Sequence, residues 1–311
     1  MNDYILPRFL EKVTIPPIKC QGIKTKLVQW ILSNSILHKE STWVEPFLGS
    51  GVVGFNSGAR HAIMNDINPH IINFYLSLQS NAINEFTVRE YLEKEGYLLS
   101  VEGKSHYYKI RDRFNAKHDP LDFLFLSRAG FNGVMRFNSH GLFNIPFCKK
   151  PNRFSKSYIT KIVNQVAAIF AIIQKNSWKF TNKDFEAIIT SAKSNDFIYC
   201  DPPYFGRHVD YYNSWNENSE LKLYELLKSS KTNFILSTWH SNKYRKNPNI
   251  DKLWSKFKIL TREHFYHIGA KEINRNSIKE AIILNYEPFD EIDFGLKQLT
   301  IWDNKTYQVV T

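Results

Sequence analysis

Apolar residues along this chain recur in short runs that predict alternating strands and helices. Residues 26–32 carry apolar side chains at helical spacing, and strand-like runs follow at residues 42–47 and 61–66. Four later strand-like runs lie at residues 197–200, 234–237, 257–260 and 281–284. This alternation predicts an α/β fold with a doubly wound, mainly parallel sheet. The last two runs have no clear helix between them, so we expect an antiparallel pair at that edge.

Several helical segments have apolar faces that indicate packing against the sheet. One continues after Asp66 through Ile71 and Leu76, and a shorter one is predicted from about Glu220 to Leu227. A long helix begins near Tyr158, with apolar residues at three- or four-residue steps: Ile159, Ile162, Val163, Val166, Ile169, Phe170 and Ile173. The apolar residues of the C-terminal tail are also expected to pack on the sheet: Leu296, Leu299, Ile301 and Trp302.

The pattern between residues 80 and 154 differs, because polar, aromatic and basic residues interleave there with little strand alternation. We therefore divide the chain into an α/β domain, residues 1–79 and 155–311, and an inserted, mostly helical domain, residues 80–154. Tyr107 and Tyr108 lie close to Arg111 and Arg113, a mixture that suits base stacking and phosphate contact. For the two tyrosines, packing between helices is the alternative.

The charge balance favours a polyanionic partner. The 311 residues include 41 Lys and Arg against 30 Asp and Glu, for a formal net charge of +11. Contacts between such cations and phosphates are favourable because they release counterions. The lysines are spread along the chain, which fits a surface surrounding a duplex better than a basic tail, and a plain solubility role is the alternative.

The cysteines and the N-terminal segment indicate a reducing compartment. Cys20, Cys148 and Cys200 are widely separated and show no Cys-x-x-Cys spacing, so neither a disulfide framework nor a zinc site is indicated. The N-terminus lacks the features of a signal peptide, and no apolar stretch approaches the length of a membrane span. We expect a cytoplasmic protein without a metal or a membrane partner.

The tetrapeptide Asp201-Pro202-Pro203-Tyr204 follows the strand-like run at 197–200 and suits a flipped aromatic amine. The two prolines hold the chain extended, so the Asp201 carboxylate and the Pro202 carbonyl oxygen can both accept from one exocyclic amino group. Tyr204 can stack on the extracted base. These residues indicate N-methylation of a nucleobase, and an ordinary turn after a strand is the alternative.

A glycine-rich turn lies between the strand at 42–47 and a helix that is expected to begin near Val52. Gly49 and Gly51 let the backbone approach a ligand, but they do not complete the pyrophosphate pattern Gly-x-Gly-x-x-Gly, which favours a ligand without phosphate. Asp66 ends the next strand at a spacing suited to ribose hydroxyls. A strand-end Asp is otherwise a turn or helix cap, and its pairing with the two glycines favours the cofactor role.

Together these motifs resemble the Dam-type family, the D12 class or alpha group of S-adenosylmethionine-dependent DNA adenine-N6 methyltransferases. The resemblance covers most of the chain and implies a class I, Rossmann-like methyltransferase fold. Residues 19–24 resemble the family's N-terminal element Lys-Trp-Ala-Gly-Gly-Lys, but Cys20 and Ile23 stand where that element has Trp and its second Gly.

The resemblance also implies S-adenosylmethionine as cofactor and a set of residues that bind it. Lys24 and the Cys20 backbone are expected at its methionine end, and Asp184 and Phe185 around its adenine, with a plain core role as the alternative for Phe185. The full implied set is Cys20, Lys24, Glu45, Phe47, Gly49, Gly51, Asp66, Asp184, Phe185 and Asp201.

Residues 131–147 resemble the DNA-contacting β-hairpin of the same family, so we expect the inserted domain to recognise the DNA target. Arg136 can make a bidentate contact to guanine, and Phe131 can wedge between bases. Asn132 and Asn138 can reach adenine or phosphate. An ordinary polar β-hairpin is the alternative.

The motifs and the resemblance predict methyl transfer to N6 of a flipped adenine in duplex DNA, with Asp201, Pro202 and Tyr204 as catalytic residues. The family implies a restriction-modification role beside a separate restriction endonuclease, in a bacterium or phage. Cytosine-N4 methylation, an RNA or protein amide substrate, and a catalytically silent DNA-binding module are the alternatives. Arg275 and Lys279 either face DNA or are solvated surface charges.

Overall fold

The computed structural model describes residues 4–6, 10–206, 215–265 and 277–288, so Arg275 and the apolar tail residues from Leu296 to Trp302 lie outside the described residues. The strands are β1 (Tyr4–Leu6), β2 (Leu37–His38), β3 (Thr42–Glu45), β4 (His61–Asn65), β5 (Ser177–Thr181), β6 (Phe197–Cys200), β7 (Asn233–Asn242), β8 (Lys258–Phe265) and β9 (Ser277–Leu284). The helices are α1 (Val28–Ser33), α2 (Gly54–Ser57), α3 (Pro69–Gln79), α4 (Glu85–Glu102), α5 (Lys104–Lys117), α6 (Pro120–Ala129), α7 (Lys156–Lys175), α8 (Phe185–Ser191), α9 (Glu217–Ser229) and α10 (Pro248–Lys252).

Seven strands form one sheet in the order β5–β4–β3–β6–β7–β9–β8, and β1 pairs with β2 separately. The five strands β3 to β7 pair in parallel, whereas β9 runs antiparallel to both β7 and β8. This confirms the predicted doubly wound sheet and its antiparallel edge. The predicted strands did not include β5, because this edge strand alternates exposed and buried residues and so lacks a continuous apolar run.

Both faces of the sheet are buried, as alternate residues of its strands show. Trp43 and Tyr199 point to a core that includes residues of α1, α3 and α7, whereas Val44 and Ile198 point to a second core with residues of α8, α9 and α10. Helices on both faces explain why β6 is buried at all four positions. The one-turn helix α2 is shorter than the helix expected from Val52.

The inserted region consists mainly of α4, α5 and α6, whose apolar residues join the core that contains α7. Arg113 donates to both carboxylate oxygens of the buried Asp122 and to Glu95, and so links these three helices. Tyr107 is fully buried and donates to the Ile145 carbonyl. For Tyr107 the helix-packing alternative is therefore confirmed, and the suggested stacking on bases is wrong.

Residues 131–147 fold back on themselves, as the predicted hairpin requires. Pairing in this part of the described chain is limited to two isolated antiparallel bridges, Gly130 with Phe147 and Phe137 with Phe143. A short 3₁₀ turn covers Phe131–Gly133. The hairpin is therefore a bridged loop, and the buried rings of Phe137 and Phe143 attach it to the core.

Helix α7 has the length and a mean hydropathy of 1.2 that would allow a membrane span. Its apolar face lies in the core, where Ile162, Val166 and Ile169 are buried. The helix is amphipathic, and α4, α3 and β5 pack against it.

Candidate active site

A cavity of about 310 Å³ opens where the carboxyl ends of β3, β4, β5 and β6 meet. The chain order reverses between β3 and β6, and ligands of open α/β sheets bind at such switch points. The volume falls in the range of roughly 300–1,000 Å³ that is typical of ligand pockets. The predicted site residues that line it are Cys20, Lys24, Glu45, Phe47, Gly49, Asp66, Asp184, Phe185, Asp201, Pro202 and Tyr204.

Asp201 and Lys24 form an ion pair at the centre of this cavity. The Lys24 Nζ lies 2.8 Å from Oδ1 and 2.9 Å from Oδ2 of Asp201, and Lys24 is only 4 % exposed. Burial raises the pKa of Asp201, the nearby Lys24 ammonium opposes this, and the Glu280 carboxyl adds to it. An amino group that donates to Asp201 must therefore share the carboxylate with Lys24 or displace it.

Tyr204 lies beside this pair and is held from two sides. The Lys24 Nζ is 4.7 Å from the centre of the Tyr204 ring, within the range of a cation–π contact. The Tyr204 hydroxyl donates a hydrogen bond to Glu280 of β9. Glu280 was not predicted as a site residue, although an acid directly before the apolar run 281–284 is visible in the sequence.

Glu45 ends β3 with a buried carboxyl group. Its Oε2 accepts a hydrogen bond of 2.9 Å from the Trp43 indole. Burial raises the pKa of Glu45 to about 8, although the bond from Trp43 acts in the opposite direction. A Cβ placed on Gly54 would lie 2.3 Å from the same Oε2, so the first residue of α2 must be a glycine for the backbone to pack on Glu45.

The glycine turn after β3 is held by Asp66. The Asp66 Oδ2 accepts from the Gly49 amide at 2.7 Å, and its Oδ1 accepts from the Asn68 amide at 2.8 Å. Burial raises the pKa of Asp66 to about 6. Gly49 has a φ of 51°, and a Cβ there would have no neighbour within 4 Å, so its backbone borders open space. Gly51 instead packs tightly against Phe55 and Leu48.

Three aromatic rings form one wall of the cavity. Phe47 and Phe185 have ring centres 5.3 Å apart, and Trp215 contacts both. The Asp184 carboxylate accepts from the Glu186 amide and caps α8, so at least one of its oxygens has a structural role. Trp215 was not predicted as a site residue, because nothing in its local sequence distinguishes it.

The bridged loop of residues 131–147, called the recognition loop below after the role predicted for it, reaches the edge of the same cavity. Met135 lines the cavity, and its Sδ lies 3.9 Å from the Cys20 Sγ. The predicted DNA-contacting residues lie farther out. Phe131 is 53 % exposed, although it is aromatic, and Asn132 is exposed with a left-handed φ of 54°. Wedging between bases requires an exposed ring of this kind.

Two other residues of the recognition loop make contacts within it. The Arg136 Nε donates to the Asn144 Oδ1 at 2.8 Å, which fixes one edge of the guanidinium group. The Asn138 Oδ1 accepts from the amides of His140 and Leu142 and closes the turn of the loop. Asn138 therefore has a structural role that the sequence did not indicate. Sequence reasoning also missed Asn144 as a partner of Arg136.

Across the described ranges, no three His, Cys, Asp or Glu side chains lie close enough to hold a metal ion. The thiols of Cys20, Cys148 and Cys200 are all free.

Comparison with known proteins agrees with this arrangement of motifs. Residues 21–268 match the family described as D12 class N6 adenine-specific DNA methyltransferase. The chain belongs to this family. The matched range contains the glycine turn, the recognition loop and the segment from Asp201 to Tyr204.

Three relatives align with most of this chain. It is 28% identical over 280 residues to the type II methyltransferase M.FokI of Planomicrobium okeanokoites, covering 87% of this chain and 42% of that protein. It is 27% identical over 292 residues to the type II methyltransferase M1.LlaDCHI of Lactococcus lactis subsp. cremoris, covering 88% of this chain and 97% of that protein. A DNA adenine methylase of Haemophilus influenzae is 32% identical over 196 residues, covering 61% of this chain and 63% of that protein. The chain thus spans less than half of M.FokI but nearly all of M1.LlaDCHI.

Among solved structures, an rRNA methyltransferase of Streptomyces viridochromogenes aligns with 84% of this chain and 83% of its own, with a TM-score of 0.36 and 12% identity.

Proposed function

We propose that this chain transfers a methyl group from S-adenosylmethionine to N6 of an adenine flipped out of duplex DNA. The observation that carries the proposal is the convergence of two motifs on one cavity at the switch point of the sheet. The glycine turn with Asp66 forms one side, and the Asp-Pro-Pro-Tyr segment forms the other. Membership in the D12 class supports adenine as the base.

The residues around the cavity fit S-adenosylmethionine. Each Asp66 oxygen already accepts one backbone amide and retains a second acceptor position, which a ribose hydroxyl can use. The rings of Phe47, Phe185 and Trp215 offer apolar surface for an adenine, and the space above Gly49 is open. When bound, the cofactor supplies an electrophilic methyl group on a sulfonium.

Asp201 and Pro202 prepare the amino group of the target base. The exocyclic amine is a poor nucleophile because its lone pair is delocalised into the ring. When the two N–H groups donate hydrogen bonds to the Asp201 carboxylate and the Pro202 carbonyl, that lone pair is localised on the nitrogen. Tyr204 stacks on the base. The transfer is direct, and the extra proton leaves to water because the alkylated amine is strongly acidic.

The region 80–154 is proposed to recognise the target sequence through the recognition loop. Phe131 wedges into the stack, Arg136 reads a guanine, and Asn132 contacts base or phosphate. Lys279, exposed on β9, is a further candidate for a phosphate contact. The net charge of +11 supports this binding through counterion release.

A role in a restriction-modification system follows from the names of the relatives, two of which are type II methyltransferases. A separate cognate endonuclease and a cytoplasmic location in a bacterial or phage setting belong to the same proposal. Mapping of modified bases in the genome of a host that expresses the chain identifies the recognised sequence and tests this role.

The decisive experiment measures labelled methyl transfer to duplex DNA, with mass spectrometry of the digested product. N6-methyladenine supports the proposal, and N4-methylcytosine would replace it with the cytosine alternative. Asp201→Ala is expected to retain DNA binding and lose methyl incorporation, whereas the exposed Asp112→Ala serves as the matched control. Undiminished incorporation by Asp201→Ala contradicts the assignment of Asp201.

Two further measurements separate the remaining alternatives. Calorimetric titration with S-adenosylmethionine distinguishes an enzyme from a silent DNA-binding module, since the silent module shows no heat of binding. Competition between duplex DNA and RNA distinguishes the substrate class.

A further inference from the structure

Glu280 is a buried acid in the strand that borders the active site. It is 1 % exposed, although the preceding residue of β9, Lys279, is exposed. In the sheet it pairs with Trp239 of β7 on one side and with Arg262 of β8 on the other. A buried carboxylate is costly unless it is paired, so its contacts identify what it does.

The hydrogen bond from the Tyr204 hydroxyl is the contact that connects Glu280 to the site. A tyrosine that stacks on a base needs a fixed ring plane, and its hydroxyl needs a partner when water is displaced. A hydrogen bond to a carboxylate is shorter and stronger than one between neutral groups. The bond fixes the far end of the ring, while the backbone after Pro203 fixes the near end.

Glu280 also acts on the ion pair beside it. Lys24 contacts Asp201 and lies over the Tyr204 ring, so one cation is next to both residues that are to hold the base. The charge of Glu280 reaches the same group of residues, because it raises the pKa of Asp201.

We propose that Glu280 is a positioning residue of the methyl-transfer site: its hydrogen bond with the Tyr204 hydroxyl fixes the Tyr204 ring for stacking on the target base. This inference rests on the proposed adenine methyltransferase activity. It adds a residue of β9 outside the matched range 21–268 to the groups that act on the base.

The charge on Glu280 also has a consequence for the pH dependence of the reaction. Glu280 and burial raise the pKa of Asp201, and Lys24 lowers it. Among the described residues, the other titratable groups near Asp201 and Glu280 include Glu45, Tyr199, Cys200, Tyr204, Arg262 and His264. In the proposed reaction Asp201 must be ionised to accept a hydrogen bond from the amino group. Removal of the Glu280 charge is therefore expected to shift the acidic limb of the pH profile of kcat/KM to lower pH.

The test compares Glu280→Gln, Tyr204→Phe and the double variant on a duplex that contains the mapped recognition sequence. Gln retains the shape and an acceptor but not the charge. Glu280→Gln is expected to lower kcat about tenfold, the equivalent of about 1.4 kcal/mol, with an unchanged affinity for sinefungin. In the Tyr204→Phe background the same substitution is expected to have a smaller effect, because the two groups act through one hydrogen bond. Glu263→Gln, an exposed acid on β8, is the matched control.

The pH profile separates positioning from a purely structural role. The acidic limb is expected to shift downward in Glu280→Gln and to stay in place in the Glu263→Gln control. An unshifted limb, or an undiminished effect of Glu280→Gln in the Tyr204→Phe background, overturns the proposal. Retained sinefungin binding checks that each variant is folded. Glu280→Asp is a second variant, which retains the charge and is expected to leave the acidic side of the pH profile in place. If the wild-type chain does not methylate adenine, the proposed function fails instead.

Discussion

Replacement of Glu45 with Gln tests the protonation state of a carboxyl group inside the cavity. Glu45 is 2 % exposed and accepts from the Trp43 indole. Burial raises its pKa from 4.5 to about 8, partly opposed by that hydrogen bond. Because the folded-state pKa exceeds the unfolded one, the folded protein binds more protons between these values, and its stability decreases as pH rises through this range.

The magnitude follows from the distance between the working pH and the unfolded pKa. At pH 7.5 the difference from 4.5 is 3 pH units, which at about 1.36 kcal/mol per unit gives about 4 kcal/mol as an upper limit. Relaxation and water entry around a buried charge reduce this to about 2 kcal/mol. Gln retains an acceptor for the indole and has no proton to lose. We therefore expect Glu45→Gln to be about 2 to 4 kcal/mol more stable than wild type at pH 7.5, and nearly equal to it at pH 5.

Urea unfolding at pH 5 and pH 7.5 measures this difference for the ligand-free protein. His70 also titrates abnormally, with a pKa of about 4, but it is present in both proteins and its contribution cancels. The carboxylates of Asp201 and Asp66 raise the pKa of Glu45, so their ionisation is part of the expected difference between the two pH values. Glu263→Gln controls for the loss of an exposed carboxylate. A stability difference between Glu45→Gln and wild type that is the same at both pH values refutes the reasoning.

Four further substitutions test other parts of the site. Arg136→Ala is expected to reduce discrimination at one guanine by about 1–3 kcal/mol in competition binding, and an equal loss on every sequence would make Arg136 a phosphate contact. Lys24→Met removes a cation that lowers the pKa of Asp201, so the acidic limb of kcat/KM should move to higher pH, and an unmoved limb contradicts the role of the pair. In thermal unfolding, Gly54→Ala should cost about 1–3 kcal/mol because its Cβ would lie 2.3 Å from a carboxylate oxygen. Gly49→Ala should lower stability by about 1–2 kcal/mol, because the added Cβ has open space but the φ of 51° is unfavourable for alanine. A much larger loss of stability would contradict the open space around Gly49.

The relation between Asp201 and Lys24 has a consequence for the order of events. In the described structure both oxygens of Asp201 contact the ammonium of the buried Lys24, and isolation of that charge would cost several kcal/mol. In the proposed reaction the base is therefore received by a carboxylate that already has a partner, and binding of the amino group would replace one charged contact by another hydrogen bond.

Some expectations from sequence were incomplete because they depended on local patterns alone. Gly51 was assigned to the cofactor turn, yet the structure shows it packed against Phe55 and Leu48. Asn138 was expected to reach DNA, yet its side-chain oxygen closes the turn of the recognition loop. The residue types were informative, but the same type serves a ligand or a turn according to what the fold places beside it.

The amino-acid sequence by itself determined the alternating strands and helices, the glycine turn with Asp66, and the Asp-Pro-Pro-Tyr segment, because polarity period and backbone preference act over a few neighbouring residues. Only the tertiary structure decided which of these groups meet. Lys24 and Asp201 are 177 positions apart, and Tyr204 and Glu280 are 76 apart. Pairs at such separations form only after the sheet has brought its strands together, and burial within that sheet then sets the strength of each contact and the pKa of each acid.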